Sequence, residues 1–149
     1  MRRAMLTDID AMHVVRLAVR ENVLSDVARV TPTHYRNMLE NDGRGWLCEL
    51  NGKVVGFGIA DATQRSIWAL FVLPDHEGHG IGSQLHDAML DWLFDISSEP
   101  VWLTTGRNTR GARFYEAAGW VSVAGASYLE TRYEITAPRF RPRRGAPSL

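Results

Sequence analysis

Apolar residues recur along this chain in two patterns, and each pattern predicts a type of element. Met12, Val15 and Val19 are spaced as on the buried face of a helix, whereas other apolar residues form short runs of strand length. The predicted elements are a strand at 2–6, a helix capped by Thr7 or Asp8, a helix from Thr31-Pro32 to about Glu40, strands at 46–50, 53–60 and 66–73, a helix over 81–96, a strand at 101–105, a helix at 109–118, and strands at 120–123 and 128–136.

The dipeptide Asn51-Gly52 stands between two of the apolar runs. Asn-Gly between apolar runs is a strong hairpin signal, because both residues accept the positive φ angles of a tight turn. The order of elements then predicts a mixed α/β fold, with helices packed on a largely antiparallel sheet.

The length of 149 residues corresponds to one domain, which we place at residues 1–137. Residues 138–149 contain four arginines and no acid, and their prolines and charges predict a flexible tail. This tail is either a solvated terminus or an arm for an acidic partner.

Seventeen basic and seventeen acidic residues give no net charge, which argues against nucleic acid as a partner of the whole domain. The tail contributes +4, so the charges of residues 1–137 sum to −4.

Cys48 is the only cysteine, which excludes an intrachain disulfide. We interpret it as a core residue rather than an acyl carrier. With no apolar stretch of about 20 residues, we expect a cytoplasmic protein without a membrane span.

A glycine cluster, Gly78, Gly80 and Gly82, leads from an apolar run into the helical pattern that starts at Ile81. Glycines before a helix let several backbone N–H groups approach an anion, typically a phosphate, at the positive end of the helix dipole. The loop lacks the lysine of a nucleotide-triphosphate P-loop, and its glycine spacing differs from the dinucleotide fingerprint. A purely structural turn is the alternative interpretation.

Two stretches resemble motifs of the GNAT superfamily of acyl-CoA-dependent N-acyltransferases. Residues 71–85, FVLPDHEGHGIGSQL, resemble motif A, in which a strand turns through an Arg/Gln-x-x-Gly-x-Gly/Ala loop into a helix. Residues 108–120, NTRGARFYEAAGW, resemble motif B, in which Asn is followed by Tyr, Gly and an aromatic residue. The close resemblance extends over about residues 45–123.

This resemblance implies a GNAT-like fold, with a central, mostly antiparallel sheet of six to seven strands and about four helices. It implies an N-acetyltransferase with acetyl-CoA as cosubstrate, no metal, an amine acceptor, direct attack in a ternary complex, and a possible homodimer. The alternative is a CoA-binding sensor or partner module with little catalysis.

The resemblance also implies roles for individual residues. Tyr115 would protonate the leaving CoA thiolate, and its alternative role is an aromatic packed beside Phe114. The backbone N–H of Val72 would polarise the thioester carbonyl. The residues expected to contact the cofactor are Leu70, Phe71, Val72, Glu77, Gly78, His79, Gly80, Ile81, Gly82, Ser83 and Asn108.

Glu77 departs from the family pattern, because it stands where the motif usually has Arg or Gln. A carboxylate there should repel a diphosphate and weaken cofactor binding, unless the neighbouring His76 and His79 offset its charge. The strands around motif A contain no acid, so the general base stays open among Asp61, Glu49, His34 and a water chain. For the acceptor side, the candidate residues are Tyr35, Trp68, Asp26 and Asp61.

Overall fold

The computed structural model describes residues 1–19, 30–124 and 127–140. The strands are β1 (Arg2–Arg3), β2 (Gly43–Leu50), β3 (Lys53–Asp61), β4 (Ser66–Val72), β5 (Val101–Gly106), β6 (Val121–Val123) and β7 (Glu130–Ile135). The helices of the described residues are α1 (Ile9–Ala18), α2 (Pro32–Asn37), α3 (Ile81–Ile96) and α4 (Arg110–Ala117). None of these helices is long and apolar enough to cross a bilayer.

All seven strands form one sheet in the order β1-β2-β3-β4-β5-β7-β6. Every neighbouring pair is antiparallel except β4 and β5, which are parallel. The predicted fold class, a mostly antiparallel sheet of six to seven strands with about four helices, is therefore confirmed.

Local sequence signals explain the ends of several elements. Asn51 and Gly52 have φ angles of 54° and 79°, as a two-residue turn between β2 and β3 requires. The Thr31 side chain accepts a hydrogen bond from the backbone N–H of His34 and so caps α2. Gly119 ends α4 in the left-handed region, with φ 102°.

Two hydrophobic clusters lie on opposite faces of the sheet. Trp46 and Cys48 of β2 belong to the cluster beneath α3, while Leu47 between them belongs to the cluster beneath α1 and α2. Successive strand residues point to opposite faces, so β2 contributes to both layers. Cys48 is a buried free thiol in this core.

The structure corrects three predicted boundaries. The first strand ends at Arg3, because the Asp8 carboxylate accepts the backbone N–H of Met5 and turns the chain into a 3-10 helix. The helix α2 ends at Asn37 and continues as a π-helical turn, Met38–Asp42, rather than as an α-helix to Glu40.

The third correction concerns the predicted tail. Phe140 is 8% exposed and packs against Phe94 and His86, so the core extends beyond residue 137. Burial of an aromatic ring against other rings stabilises the folded state relative to exposure in water. This holds even where the ring's neighbours in the sequence are arginines. Residues 141–149, the rest of the predicted flexible tail, lie outside the described residues.

Candidate active site

The central strands β4 and β5 separate over most of their length. They pair only at Ser66 and Trp102, near the start of each strand. On its other edge β4 stays paired with β3, with Leu70 opposite Gly58 and Val72 opposite Gly56. A cleft with a cavity volume of about 340 Å³ opens between the strands and reaches the start of α3.

The open edge of β4 presents backbone groups to this cleft. Leu73 donates its N–H to the carbonyl of Val55 in β3, at 2.8 Å. Because successive N–H groups of a strand point to opposite edges, the N–H of Val72 points away from β3 and toward the cleft. The N–H of Leu70, two residues earlier, points the same way.

The glycine loop closes one end of the cleft. Gly78 and Gly80 have φ angles of 81° and 84°, a region that residues with a Cβ atom rarely adopt. Gly80 is also the N-cap of α3, and its carbonyl accepts the first helical hydrogen bond from Gln84, at 3.0 Å. The loop thus brings the positive end of a 16-residue helix to the cleft.

Most of the predicted cofactor residues line this cleft, together with Tyr115. These are Leu70, Phe71, Val72, Glu77, Gly78, Gly80, Ile81, Gly82 and Ser83. His79 and Asn108 are not among the lining residues. The ring of His79 contacts the carbonyl of His76, and Asn108 is an exposed residue with φ 56° whose carbonyl accepts a hydrogen bond from Arg113.

Tyr115 of α4 lies in the wall of the cleft among other rings. Its ring contacts Phe114, Trp120 and Tyr133, and only 7% of the residue is exposed. Burial raises the pKa of the Tyr115 phenol far above its ordinary value near 10, because the phenolate would lose its hydration. The hydroxyl therefore stays protonated throughout the physiological pH range. Tyr115 thus packs beside Phe114, as its alternative role expects, and also lines the cleft; its role as proton donor stays a prediction.

Glu77 does not face the cleft as an isolated charge. Its carboxylate forms an ion pair with the guanidinium of Arg110, the first residue of α4. Both residues line the cleft, so the pair connects the glycine loop to the helix on the opposite wall. A contact with an arginine, which the sequence did not indicate, thus offsets the charge of Glu77.

The sequence matches the family model described as Acetyltransferase (GNAT) family over residues 11–120, which is most of the chain. The chain belongs to the GNAT acetyltransferase family. An uncharacterized N-acetyltransferase of Archaeoglobus fulgidus is 32% identical over 98 residues, which span 58% of this chain and 67% of that relative. The chain is therefore an enzyme of the acetyltransferase class.

Solved structures show the same fold at low sequence identity. A GCN5-related N-acetyltransferase from Rhodopseudomonas palustris is 18% identical with a TM-score of 0.74, over 91% of this chain and 93% of its own. An acetyltransferase from Bacillus anthracis, solved in complex with acetyl coenzyme A, is 15% identical with a TM-score of 0.62, over 72% of this chain and 69% of its own.

The candidate general bases of this GNAT domain are engaged elsewhere, with one exception. Glu49 pairs with Arg2 at 2.5 Å, at the β1–β2 edge. Asp61 is buried and accepts the backbone N–H of Gln64, so it holds the β3–β4 turn. Asp26, which was predicted for the acceptor side and not as a base, lies outside the described residues. His34 lines a second cavity of about 310 Å³.

This second cavity meets the main cleft at Trp68, which lines both. Its other described lining residues are Val30, His34, Asn37, Met38 and Asp42. Tyr35, a predicted acceptor residue, is fully buried behind Trp68 and contacts the His13 ring nitrogen through its hydroxyl. It supports the wall without lining either cavity.

The hydrogen bonds of His34 define what it can offer to this cavity. Its Nδ1 accepts the backbone N–H of Thr31 at 3.1 Å. A neutral imidazole that accepts through Nδ1 carries its proton on Nε2. His34 therefore offers a donor rather than a base at Nε2.

Two arginines that contact residues lining the cleft were not predicted from the sequence. Arg110 stands inside the motif B stretch, but nothing local indicates its contact with Glu77. Arg16 is 3% exposed, and its guanidinium lies 4.9 Å from the ring centroid of Trp68 and 4.8 Å from that of Phe71. The signal for Arg16 was its position four residues after Met12, on the buried stripe of α1.

Proposed function

We propose that this domain transfers an acetyl group from acetyl-CoA to a primary amine by direct attack in a ternary complex. The observation that carries the proposal is the cleft between β4 and β5, which joins an unpaired strand edge to a glycine-capped helix start. The comparison with GNAT proteins supports acetyl-CoA as the acetyl donor. The geometry of the cleft supports the order of contacts along acetyl-CoA.

The residues present fit acetyl-CoA. The cavity volume of about 340 Å³ falls in the range of ligand pockets. An extended pantetheine arm would add to the edge of β4 as a strand does, with the backbone of Leu70, Phe71 and Val72 as its partners. The N–H groups between Gly78 and Ser83 would hold the diphosphate at the positive end of α3.

Acetyl-CoA supplies an acyl group activated as a thioester. The N–H of Val72 would donate to the thioester carbonyl oxygen and stabilise the negative charge that develops there. The amine nitrogen bonds to the carbonyl carbon, the C–S bond breaks, and Tyr115 donates its hydroxyl proton to the departing sulfur. The proton lost by the amine passes to water and restores the phenol.

The acceptor would enter through the second cavity and reach the thioester past Trp68. Asp42 supplies a carboxylate to this cavity, in keeping with the net charge of −4 over residues 1–137. Because His34 presents a donor at Nε2, we propose that the amine reacts in its neutral form, positioned against the carbonyl. The rate should then rise with pH as the acceptor amine loses its proton.

The first test is a thermal-shift titration with acetyl-CoA and CoA, with NADH as comparator. A ligand at 100 times its Kd stabilises the folded state by about 2.7 kcal/mol, which raises Tm by several degrees in a domain of this size. We expect saturable shifts with acetyl-CoA and CoA and none with NADH. No shift at millimolar acetyl-CoA would contradict the proposal.

The second test separates catalysis from binding. A panel of primary amines is incubated with acetyl-CoA and the protein, and the release of CoA thiol is measured. Amine-dependent release supports the transferase. Tight acetyl-CoA binding without thiol release from any amine would favour the alternative, a CoA-binding module.

A further inference from the structure

The ion pair between Glu77 and Arg110 crosses the mouth of the cofactor cleft. Glu77 lies directly before Gly78 of the loop, and Arg110 begins α4 on the other wall. Both side chains line the cleft, and the arginine is the more accessible, with 67% of its side chain exposed against 26% for the glutamate. The guanidinium is therefore a cation that a ligand can reach.

The residues around Arg110 favour a ligand that carries more negative charge than a single carboxylate. Arg107 stands three residues before it, and residues 100–115 contain no acid. Arg110 also stands in the first turn of α4, where the helix dipole is positive and a cation is disfavoured. A diphosphate carries more negative charge than Glu77 and accepts paired hydrogen bonds from a guanidinium.

A diphosphate bound to the N–H groups of the glycine loop would lie within reach of Arg110. The loop that would hold it, Gly78 to Ser83, follows Glu77 directly in the chain. A ligand on those N–H groups thus competes with Glu77 for the same guanidinium.

We propose that Arg110 binds the diphosphate of CoA, and that Glu77 is the counter-ion which Arg110 exchanges for it. This inference rests on the proposed function. In the empty protein the carboxylate holds the arginine across the cleft; with cofactor bound, the guanidinium donates to the phosphate oxygens. Glu77 thereby lowers cofactor affinity without abolishing it.

The simpler account is that Arg110 only neutralises Glu77 and never contacts the cofactor. The two accounts differ once Glu77 is removed. If Arg110 only screens the carboxylate, its loss costs nothing in a Glu77→Gln background. If Arg110 contacts the diphosphate, its loss weakens binding in that background too.

The experiment measures the Kd of acetyl-CoA by isothermal titration calorimetry for four full-length proteins: wild type, Glu77→Gln, Arg110→Gln and the double variant. Arg113→Gln is the matched control, because Arg113 is an exposed arginine of the same helix that does not line the cleft. We expect Glu77→Gln to tighten binding severalfold and the control to change it little. In the Glu77→Gln background, Arg110→Gln should weaken binding about tenfold, as loss of a charge-assisted contact does.

An equal Kd for Glu77→Gln and the double variant overturns the contact. An unchanged or weaker Kd for Glu77→Gln alone overturns the exchange. Repeating the comparison with 3′-dephospho-CoA identifies the phosphate: a preserved effect of Arg110→Gln supports the diphosphate, and a lost effect assigns the contact to the 3′-phosphate and overturns the proposal as stated. If the wild type binds no acetyl-CoA at all, the proposed function fails first.

Discussion

Burial keeps the hydroxyl of Tyr115 protonated, which suits this residue to the role of proton donor that we propose. Its neighbours in the wall are aromatic, and the pKa of its phenol is held far above the ordinary value. A phenol that keeps its proton at every physiological pH is a dependable donor to a departing thiolate. Under the proposed mechanism, catalysis would require the hydroxyl of Tyr115 rather than its ring.

We expect Tyr115→Phe to lower kcat by about 100-fold or more while the Kd of acetyl-CoA changes little, because only the proton donor is lost. Tyr133→Phe is the control: that hydroxyl donates to Glu116 at 2.8 Å, outside the cleft. Steady-state kinetics and calorimetry on both variants measure the two effects. An unchanged kcat for Tyr115→Phe would remove the tyrosine from the mechanism.

Asp8 performs a purely structural task at the same scale. It accepts two hydrogen bonds from Arg2, at 2.9 and 2.8 Å, and one from the N–H of Met5. Hydrogen bonds from Arg2 keep the pKa of Asp8 below its ordinary value, since they stabilise the carboxylate. A lowered folded-state pKa contributes stability above the unfolded pKa of about 3.9, and this contribution is lost as the pH falls through the folded value.

Asp8→Asn should therefore lower the free energy of unfolding by about 1 to 2 kcal/mol at pH 7. The difference from wild type should shrink as the pH falls below about 4, because the unfolded wild-type chain then protonates Asp8 while the folded protein still holds it ionised. It should disappear once the pH is also below the folded pKa. Urea unfolding at several pH values measures it. A difference that stays constant down to pH 3 would show that ionisation of Asp8 is not its cause.

At the scale of elements, the junction between β4 and α3 contains two motif glycines whose backbone conformations differ. Gly80 needs its positive φ of 84° to cap the helix. Gly82 lies inside the first turn, and a Cβ added there would stand 3.7 Å from Phe114 and Val72, which is ordinary contact. The backbone thus requires a glycine at position 80, whereas the first turn of α3 has room for a methyl group at position 82.

Gly80→Ala should destabilise the fold by about 1 kcal/mol or more, because alanine resists a left-handed backbone. Gly82→Ala should instead stabilise α3 by up to about 1 kcal/mol, since alanine is the better helix former, and should keep acetyl-CoA binding. Thermal unfolding and calorimetry of the matched pair measure both effects. Equal losses of stability would mean that the first turn has no room for a methyl group.

At the scale of the whole molecule, the C-terminal segment closes one face of the sheet. The ring of Phe140 lies 5.9 Å from that of Phe94 and 6.2 Å from that of His86, both on α3. The indole N–H of Trp120 donates to Nε2 of His86 at 2.9 Å, in the same buried group. The far end of the chain thereby packs against the helix that begins at the glycine loop.

Phe140→Ala should lower the free energy of unfolding by about 3 kcal/mol, as other removals of buried phenylalanine do. A chain that ends at residue 140 is the control, because it keeps the ring and removes only residues 141–149. Its stability and acetyl-CoA affinity should match those of the full chain. Altered activity or binding in this shortened chain would instead indicate a role for the basic tail.

Local sequence alone determined much of this architecture. The order of elements, the Asn51-Gly52 turn and the glycine loop before α3 follow from periodicity and from backbone preferences of neighbouring residues. The resemblance of two short stretches then led to the family. These features are predictable because they depend on residues close together in the chain, whose conformations are restricted before any packing occurs.

Only the tertiary structure decided the form of the site. The single pairing of β4 with β5, the contact between Glu77 and Arg110, and the ring contacts of Tyr115 with His86 and Tyr133 join residues far apart in the chain. Such contacts depend on how α3 and α4 pack on the sheet. The chemistry of a side chain does not by itself specify which distant residue that side chain will contact. The same holds for Phe140. The arginine-rich sequence around it contains no pattern that indicates its burial.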